Sequence, residues 1–447
     1  MKRFAYSDLL KWKNSPKRKP LVLYGARQVG KTWLLKSFGK NEYKSVMYLN
    51  FDTNRKLHQY FGDNISPKTI ITSLESHFSE EVLPADTLLV FDEIQECQRA
   101  KDALKYFCED APQYNIAAAG SFLGIAGGKF PVGQVDEIIL YPLSFYEFLG
   151  AAGQEQLVNS LLEQDIQLIK NMHGFLIDKL REYFYVGGMP EAVKTFVDTN
   201  DLQAVREIQK TILDNYKADF SRHIKGIDIP KVRMLWDSIP AHLSKEKKKF
   251  IYKEIKTGGR ASEFENAMDW LVNTGLVYKI AKTTEPKLPL ISYAERESFK
   301  LYMLDVGLLS AKSGLDIKTF YQSDHEVFKE FKGAIAEQYV MQELKTLGHI
   351  PIFYWGSATG KAEVDFILQY GNNIVPVEVK SDLNKKSYSL NVYMETYRPE
   401  QAVRTSLNNF GINAGLHSLP LYMMESLREV LGQRAAVEPE AAEKWYK

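Results

Sequence analysis

Between Pro20 and Phe145 the chain alternates short, nearly unbroken apolar runs with longer stretches whose apolar residues return at helical spacing. The runs are "PLVLYG", "SVMYLNFD", "DTLLVFDE", "NIAAAGS" and "DEIILYPL". Strands apolar on both faces need cover on both faces, and the intervening helices supply it. The pattern predicts five buried strands in a parallel sheet. From Tyr146 to Lys225 the text becomes helical, and "VGGMP" reads as a Gly-Gly-x-Pro break between helices. Ile229 to Leu315 reads as short helices and then a strand, a loop and a strand in "LVYKIAKTTEPKLPLISYAERESFKLYMLD". Helices followed by a β-ribbon fit a winged helix and, equally, a helical spacer carrying a hairpin.

Beyond Phe320 the pattern is mixed. The helix "EVFKEFKGAIAEQYVMQELKTLG" precedes the strands "IPIFYWGS", "AEVDFILQY" and "NIVPVEVKS". A helix near "SYSLNVYMETY", a strand "QAVRTSL" and a closing "LPLYMMESLREVL" follow, and the tail "GQRAAVEPEAAEKWYK" is polar and reads as frayed. The expected division is a sheet-containing core at 1–145, a helical lid at 146–225, a winged-helix-like middle at 226–318, an α/β domain at 319–431 and a tail at 432–447.

A chain of 447 residues exceeds what one hydrophobic core supports, in keeping with several units. The formal net charge of +1 provides no global field for nucleic acid, so any such binding needs a local patch. Cys97 and Cys108 form no CxxC pair, which argues against a disulfide framework or a thiolate zinc site. The first twenty residues lack a signal-peptide core, and no apolar run is long enough to cross a bilayer. The expectation is a soluble cytoplasmic protein with no membrane partner.

Candidate chemistry starts at "GARQVGKT". Gly25 to Thr32 fit G-x-x-x-x-G-K-[ST] after a strand and before a helix. Backbone N–H groups of Gly25, Ala26, Arg27, Gln28, Val29 and Gly30 would curl around phosphates, continued by Lys31, Thr32 and Trp33 at the positive end of the helix. Lys31 is expected to reach the β/γ-phosphates of ATP and Thr32 to offer its hydroxyl to Mg²⁺. In "LLVFDEIQ", Asp92 ends a buried strand where it can hold Mg²⁺, and Glu93 can serve as general base toward water. Ser121, closing "NIAAAGS", is either a γ-phosphate sensor or a plain turn serine. Arg27, Arg99 and Arg222 are the candidates for a cation on the transferred phosphoryl group.

A second constellation lies in "EVDFILQYGNNIVPVEVKS". Asp365, Glu378 and Lys380 form D-x12-E-x-K across two neighbouring strands. Two acids on adjacent strands can share a divalent metal, and a lysine one step on can stabilise or deprotonate the attacking water. Glu337 in "GAIAEQYV" supplies a further carboxylate from the preceding helix. Glu337, Asp365 and Glu378 are therefore the expected metal ligands, and Glu378 and Lys380 the expected catalytic pair. The same alternation also suits a half-exposed strand, and the same scaffold also serves for binding alone. Among the basic runs, the middle one carries the most charge, with Lys247, Lys248, Lys249, Lys253, Lys256 and Arg260.

Together, "LVLYGARQVGKTWLL", "LVFDEIQ", "YPLSFYEFL", "YVGGMPEAV", "FKLYMLDVGLLS", "KGAIAEQYVMQEL", "EVDFIL" and "VPVEVKS" resemble a group of prokaryotic AAA-like ATPases that end in a domain of unknown function with a restriction-endonuclease-like fold. The resemblance implies an α/β architecture: a P-loop NTPase parallel sheet, a helical lid, a winged-helix middle and a PD-(D/E)xK nuclease-like C-terminal domain. It implies ATP and Mg²⁺ at Lys31, Thr32, Asp92 and Glu93, and a nuclease-like set at Glu337, Asp365, Glu378 and Lys380. The expected activity is ATP hydrolysis coupled to DNA binding or processing. The alternative is a regulatory NTPase whose C-terminal domain docks a protein partner, with a homo-oligomer as a further candidate assembly.

Overall fold

The computed structural model describes residues 1–62, 64–121, 133–223, 229–245, 248–316, 326–381, 387–413 and 415–432, with the side chains at 222–223, 326–331 and 413 outside that description. The side chain of Arg222, Lys247 and the tail from 433 thus lie outside the described residues.

The N-terminal unit follows the apolar runs. Helix α1 (Ala5–Asn14) leads into β1 (Leu21–Gly25), α2 (Lys31–Glu42), β2 (Ser45–Asn50), α3 (Pro67–Phe78), β3 (Thr87–Asp92), α4 (Gln98–Asp110), β4 (Asn115–Ser121) and β5 (Asp136–Ile139). The strands form one parallel sheet in the order β2-β3-β4-β1-β5. Alternate residues of β1 serve opposite faces. Leu21 and Leu23 pack with Leu9, Leu34 and Phe38, and Val22 and Tyr24 pack with Ile70, Leu104 and Phe107 on the other side. This two-sided burial is why the runs read as continuous apolar text.

The helical unit comprises α5 (Phe145–Ala151), α6 (Glu155–Leu162), α7 (Ile166–Asn171), α8 (His173–Val186), α9 (Pro190–Thr199) and α10 (Leu202–His223). The "VGGMP" break is a three-way close approach. A Cβ on Gly187 would lie 2.3 Å from Asp305 Oδ1, and one on Gly188 would lie 2.0 Å from the carbonyl oxygen of Leu143. Gly187 also adopts φ +72°, and Pro190 opens α9 at its first turn, where no N–H is needed.

The middle segment contains α11 (Ile229–Leu243), α12 (Ala261–Asn273), β6 (Val277–Thr283), β7 (Ala294–Met303) and α13 (Val306–Lys312). The remainder contains α14 (Glu326–Thr346), β8 (Ile352–Gly356), β9 (Glu363–Tyr370), β10 (Asn373–Val379), α15 (Tyr388–Tyr397), β11 (Ala402–Ser406), β12 (Gly411–Asn413), β13 (Leu416–Pro420) and α16 (Leu427–Val430). These strands form one sheet in the order β12-β13-β11-β10-β9-β8-β6-β7. The antiparallel β6–β7 ribbon therefore extends the C-terminal sheet across the expected boundary at 318. The join is narrow: β6 meets β8 in parallel only at Lys282–Tyr354 and Thr283–Trp355.

One apolar core runs from Leu9 to Leu431 and includes residues of all four units. Among the described residues, no helix is long and apolar enough to cross a membrane.

Candidate functional sites

The loop between β1 and α2 is shaped by its glycines. A Cβ on Gly25 would lie 2.4 Å from the carbonyl oxygen of Leu140, and Gly30 enters α2 at φ +95°, a left-handed conformation that disfavours side chains. No side chain caps α2 at Gly30, so its first N–H groups point into the loop with the helix dipole behind them. Gln28 is exposed at φ +66°, Val29 is buried beneath the loop, and Trp33 stands 51% exposed beside it.

Lys31 Nζ donates to the carbonyls of Gly25 (2.9 Å) and Ala26 (2.7 Å). Burial lowers its pKa to about 8, against the opposing pull of Glu93 and Asp92. Thr32 Oγ1 donates to Asp92 Oδ2 at 2.9 Å, and Asp92 is buried at the end of β3. These residues fit Mg²⁺. A threonine hydroxyl and one carboxylate, completed by phosphate and water oxygens, are the usual protein share of such a site. Glu93 follows at φ +50°, and Gln95 Nε2 donates to its Oε2. Ser121 is buried at the end of β4, in register with Gly25.

Four side chains that the sequence reading did not single out, Tyr48, Arg3, Asp219 and Tyr216, stand around this site. Tyr48 donates to Asp92 Oδ2 at 2.5 Å, as a second hydroxyl on the same oxygen. Arg3, 5% exposed, donates to the carbonyls of Val29 (2.9 Å) and Tyr141 (2.6 Å) and pairs with Glu147 at 3.1 Å. It buckles the loop to α5 from a segment whose only visible signal was an arginine ahead of an amphipathic helix. Asp219 of α10 holds Arg27, while the Tyr216 hydroxyl donates to the Arg27 carbonyl at 2.8 Å. Of the arginine candidates, Arg27 is thus tied to the helical unit, and Arg99 is exposed on α4. A cavity of about 370 Å³ opens beside Ala26, with Tyr141, Pro142, Asn273, Tyr278 and Lys345 in its wall.

The C-terminal set is brought together as well, with different neighbours from those expected. β9 and β10 pair antiparallel, and Asp365 Oδ2 accepts from the Val379 N–H at 2.9 Å. Glu378 accepts from Lys380 at 2.5 Å, but it is 3% exposed and does not face solvent. Glu337 projects from α14 into the same space, where two lysines of the middle segment meet it. Lys300 of β7, fully buried, lies 3.1 Å from Glu337 Oε1, 2.8 Å from Glu363 Oε1 and 3.8 Å from Asp365 Oδ1. Lys248 pairs with Glu337 Oε2, and the Tyr302 hydroxyl donates to Glu337 Oε1.

Charge explains the titration of the group. Burial would raise the pKa of Glu337, but Lys248 and Lys300 outweigh it and bring the value to about 2. Asp365 is pushed well above the carboxylate range by burial, Glu337 and Glu378. Among the described residues, no group of three or more histidine, cysteine or carboxylate side chains is arranged to hold a metal ion. Around the expected ligand set of Glu337, Asp365 and Glu378, the ammonium groups of Lys248, Lys300 and Lys380 supply the neighbouring positive charge. Lys300 escaped sequence reading because a lysine in "SFKLYM" looks like the polar position of an alternating strand.

Three family models match the chain. Residues 17–149 match an AAA domain, 177–319 a domain of unknown function (DUF8612), and 332–424 a domain of unknown function (DUF4143). The first match, together with the parallel sheet and the loop geometry, supports a P-loop domain similar to AAA-type ATPases over that segment. Among solved structures, the chain is similar to a Walker-type ATPase of Pyrococcus abyssi, with 15% identity over 69% of this chain and 95% of that one and a TM-score of 0.43. It is also similar to RuvB of Thermotoga maritima (14%, 61% and 88%, TM-score 0.30) and to AMPPCP-bound DnaA of Aquifex aeolicus (15%, 60% and 93%, TM-score 0.24). No curated protein matches the sequence significantly.

Proposed function

We propose that this protein is a Mg²⁺-dependent ATPase whose nucleotide state sets how the helical unit sits on the P-loop core, and through it the middle and C-terminal units. The observation that carries the reading is the Lys31, Thr32 and Asp92 arrangement. A buried ammonium is held by two backbone carbonyls, beside a hydroxyl and a carboxylate 2.9 Å apart. Thr32 and Asp92 would hold Mg²⁺, which when bound neutralises charge on the β- and γ-phosphates. Lys31 exchanges its carbonyl partners for phosphate oxygens. Glu93 orients and deprotonates water, with Gln95 steering its carboxylate. Nucleotide contact with the loop is relayed to α10 through Arg27–Asp219 and Tyr216. The C-terminal unit acts as a docking module for a protein partner. The inward engagement of Lys248 supports this, since it takes charge away from a nucleic-acid surface.

A second reading, DNA processing by a PD-(D/E)xK-like C-terminal domain, is favoured by the convergence of Glu337, Asp365, Glu378 and Lys380. Steady-state ATP hydrolysis by the full chain, with and without Mg²⁺ and with and without plasmid DNA, tests both. Mg²⁺-dependent turnover abolished by Lys31→Ala supports the ATPase. Turnover indifferent to Lys31→Ala and to Glu93→Gln would overturn the assigned site. DNA-stimulated turnover, or nicking lost in Asp365→Ala, would replace the docking module with the nucleic-acid reading.

A further inference from the structure

Six carboxylate oxygens on Glu337, Asp365 and Glu378 converge beneath β7, and their partners decide what the cluster can bind. Both oxygens of Glu337 are engaged, one by Lys300 and Tyr302 and the other by Lys248. Asp365 Oδ2 holds the Val379 N–H, and its Oδ1 faces Lys300. Glu378 Oε1 holds Lys380, and Glu378 Oε2 is buried without a hydrogen-bond partner. Lys300 Nζ reaches three separate carboxylates, its side chain is fully buried, and it also lies 4.9 Å from the centre of the Tyr354 ring. Its compact charge hydrogen-bonds Glu337 Oε1 and lies 3.8 Å from Asp365 Oδ1, two of the oxygens that a divalent ion would need.

We infer that the Lys300 ammonium is the resident cation of this acidic cluster, an internal lock between the middle segment and the C-terminal sheet that excludes a divalent metal. Three physical arguments carry the inference. A Mg²⁺ or Mn²⁺ ion entering the cluster would meet three ammonium groups, those of Lys248, Lys300 and Lys380, within the same low-dielectric space. Magnesium demands near-octahedral oxygen coordination with several waters, and the pairings above leave only Glu378 Oε2 and Asp365 Oδ1 without a hydrogen bond among the oxygens of these three side chains, the latter 3.8 Å from Lys300. Lys300 cannot withdraw cheaply, because it would leave buried carboxylates uncompensated. The lock also explains why a two-pair seam between β6 and β8 suffices: the ribbon is held by charge beneath it as well as by backbone pairing. The inference is independent of the ATPase reading, which is decided by Lys31→Ala.

The test is Mn²⁺ binding to the nucleotide-free full chain, read by electron paramagnetic resonance, for wild type, Asp365→Asn, Lys300→Met and Lys300→Met/Asp365→Asn. Wild type and Asp365→Asn are expected to bind the same amount, because any Mn²⁺ near Thr32 and Asp92 is common to both. Lys300→Met, which keeps most of the length of the side chain and removes its charge, is expected to gain one further Mn²⁺ per chain, lost again in the double variant. Wild-type Mn²⁺ binding that disappears in Asp365→Asn would overturn the inference. So would a folded Lys300→Met that gains no Mn²⁺. If Lys300→Met does not fold, the comparison of wild type with Asp365→Asn decides alone.

Discussion

Individual side chains here do work that their residue type alone does not announce. Lys31 is a buried cation whose pKa is lowered to about 8, first by desolvation. Phosphate oxygens favour the charged form, so above pH 8 ATP binding must bring a proton with it. Calorimetry at pH 8.5 in two buffers of different ionisation enthalpy should show proton uptake, and ATP affinity should fall between pH 7 and 9. Proton-neutral binding with flat affinity would contradict the placement of Lys31 against phosphate. Glu93 makes a different prediction. Glu93→Gln keeps the shape and loses the base, so ATP should still bind while turnover drops by about 10²–10⁴-fold. The two substitutions separate binding from chemistry. Affinity lost in Glu93→Gln would mean that this carboxylate contacts nucleotide or metal instead.

Elements are joined in this chain by close backbone approach, and Asp305 shows how. It lies between β7 and α13, fully buried. Its Oδ2 accepts from the Gly188 N–H at 2.6 Å and its Oδ1 from the Leu308 N–H at 2.8 Å. One carboxylate thus caps α13 and pins the turn between α8 and α9. Gly187, Gly188 and Gly307 are glycine because a Cβ at each would overlap its neighbour. Burial raises the Asp305 pKa to about 6 from its ordinary 3.8, despite the N–H groups that oppose the shift. The folded chain then holds the proton more tightly than the unfolded chain. The stability from this group is complete below pH 3.8 and is lost as pH rises through about 6. Asp305→Asn removes that dependence, and it also leaves one of two buried N–H groups without an acceptor. A loss of about 1–3 kcal/mol is expected by chemical denaturation at pH 7, with a flatter profile between pH 4 and 6. An unchanged profile would remove Asp305 from the link. "YVGGMPEAV" was visible in the sequence as a mark without a chemical meaning. Its partner lies more than a hundred residues away, so the reason for the glycines was not legible.

Across the whole molecule, legibility tracked the range of the interaction. The five parallel strands and the phosphate loop were readable because burial and turn chemistry are written in contiguous residues. The convergence of Glu337, Asp365 and Glu378 was readable from helix–strand–strand order. Lys300, Lys248 and Arg3 were not, because a buried ion pair between distant segments leaves the same letters as a solvated lysine or arginine. The same blindness hid how the helical unit meets the C-terminal unit. Helix α5, in "YPLSFYEFL", begins with a capping box of Ser144 and Glu147. Its next N–H groups are taken by the C-terminal part of the chain: Phe145 N–H donates to Glu343 Oε1 and Tyr146 N–H to Glu425 Oε2, each at 3.2 Å. The Tyr146 hydroxyl lies 2.7 Å from Ser426 Oγ. Three carboxyl groups, Glu147, Glu343 and Glu425, are thereby crowded at one helix end. Burial pushes the Glu343 pKa up to about 8 from 4.5; the Phe145 N–H opposes this and Glu147 adds to it. The sign follows from proton binding. The folded chain keeps a proton on Glu343 that the unfolded chain releases above pH 4.5, so stability is lost as pH rises through about 8. Glu343→Gln keeps an acceptor for the Phe145 N–H and cannot ionise. The variant should therefore gain on the wild type as pH rises, with the difference in melting temperature growing from pH 5 to pH 8.5 and levelling above it. Parallel melting profiles across that range would show that Glu343 ionises without cost, and that the junction between α5 and the C-terminal unit is open to water.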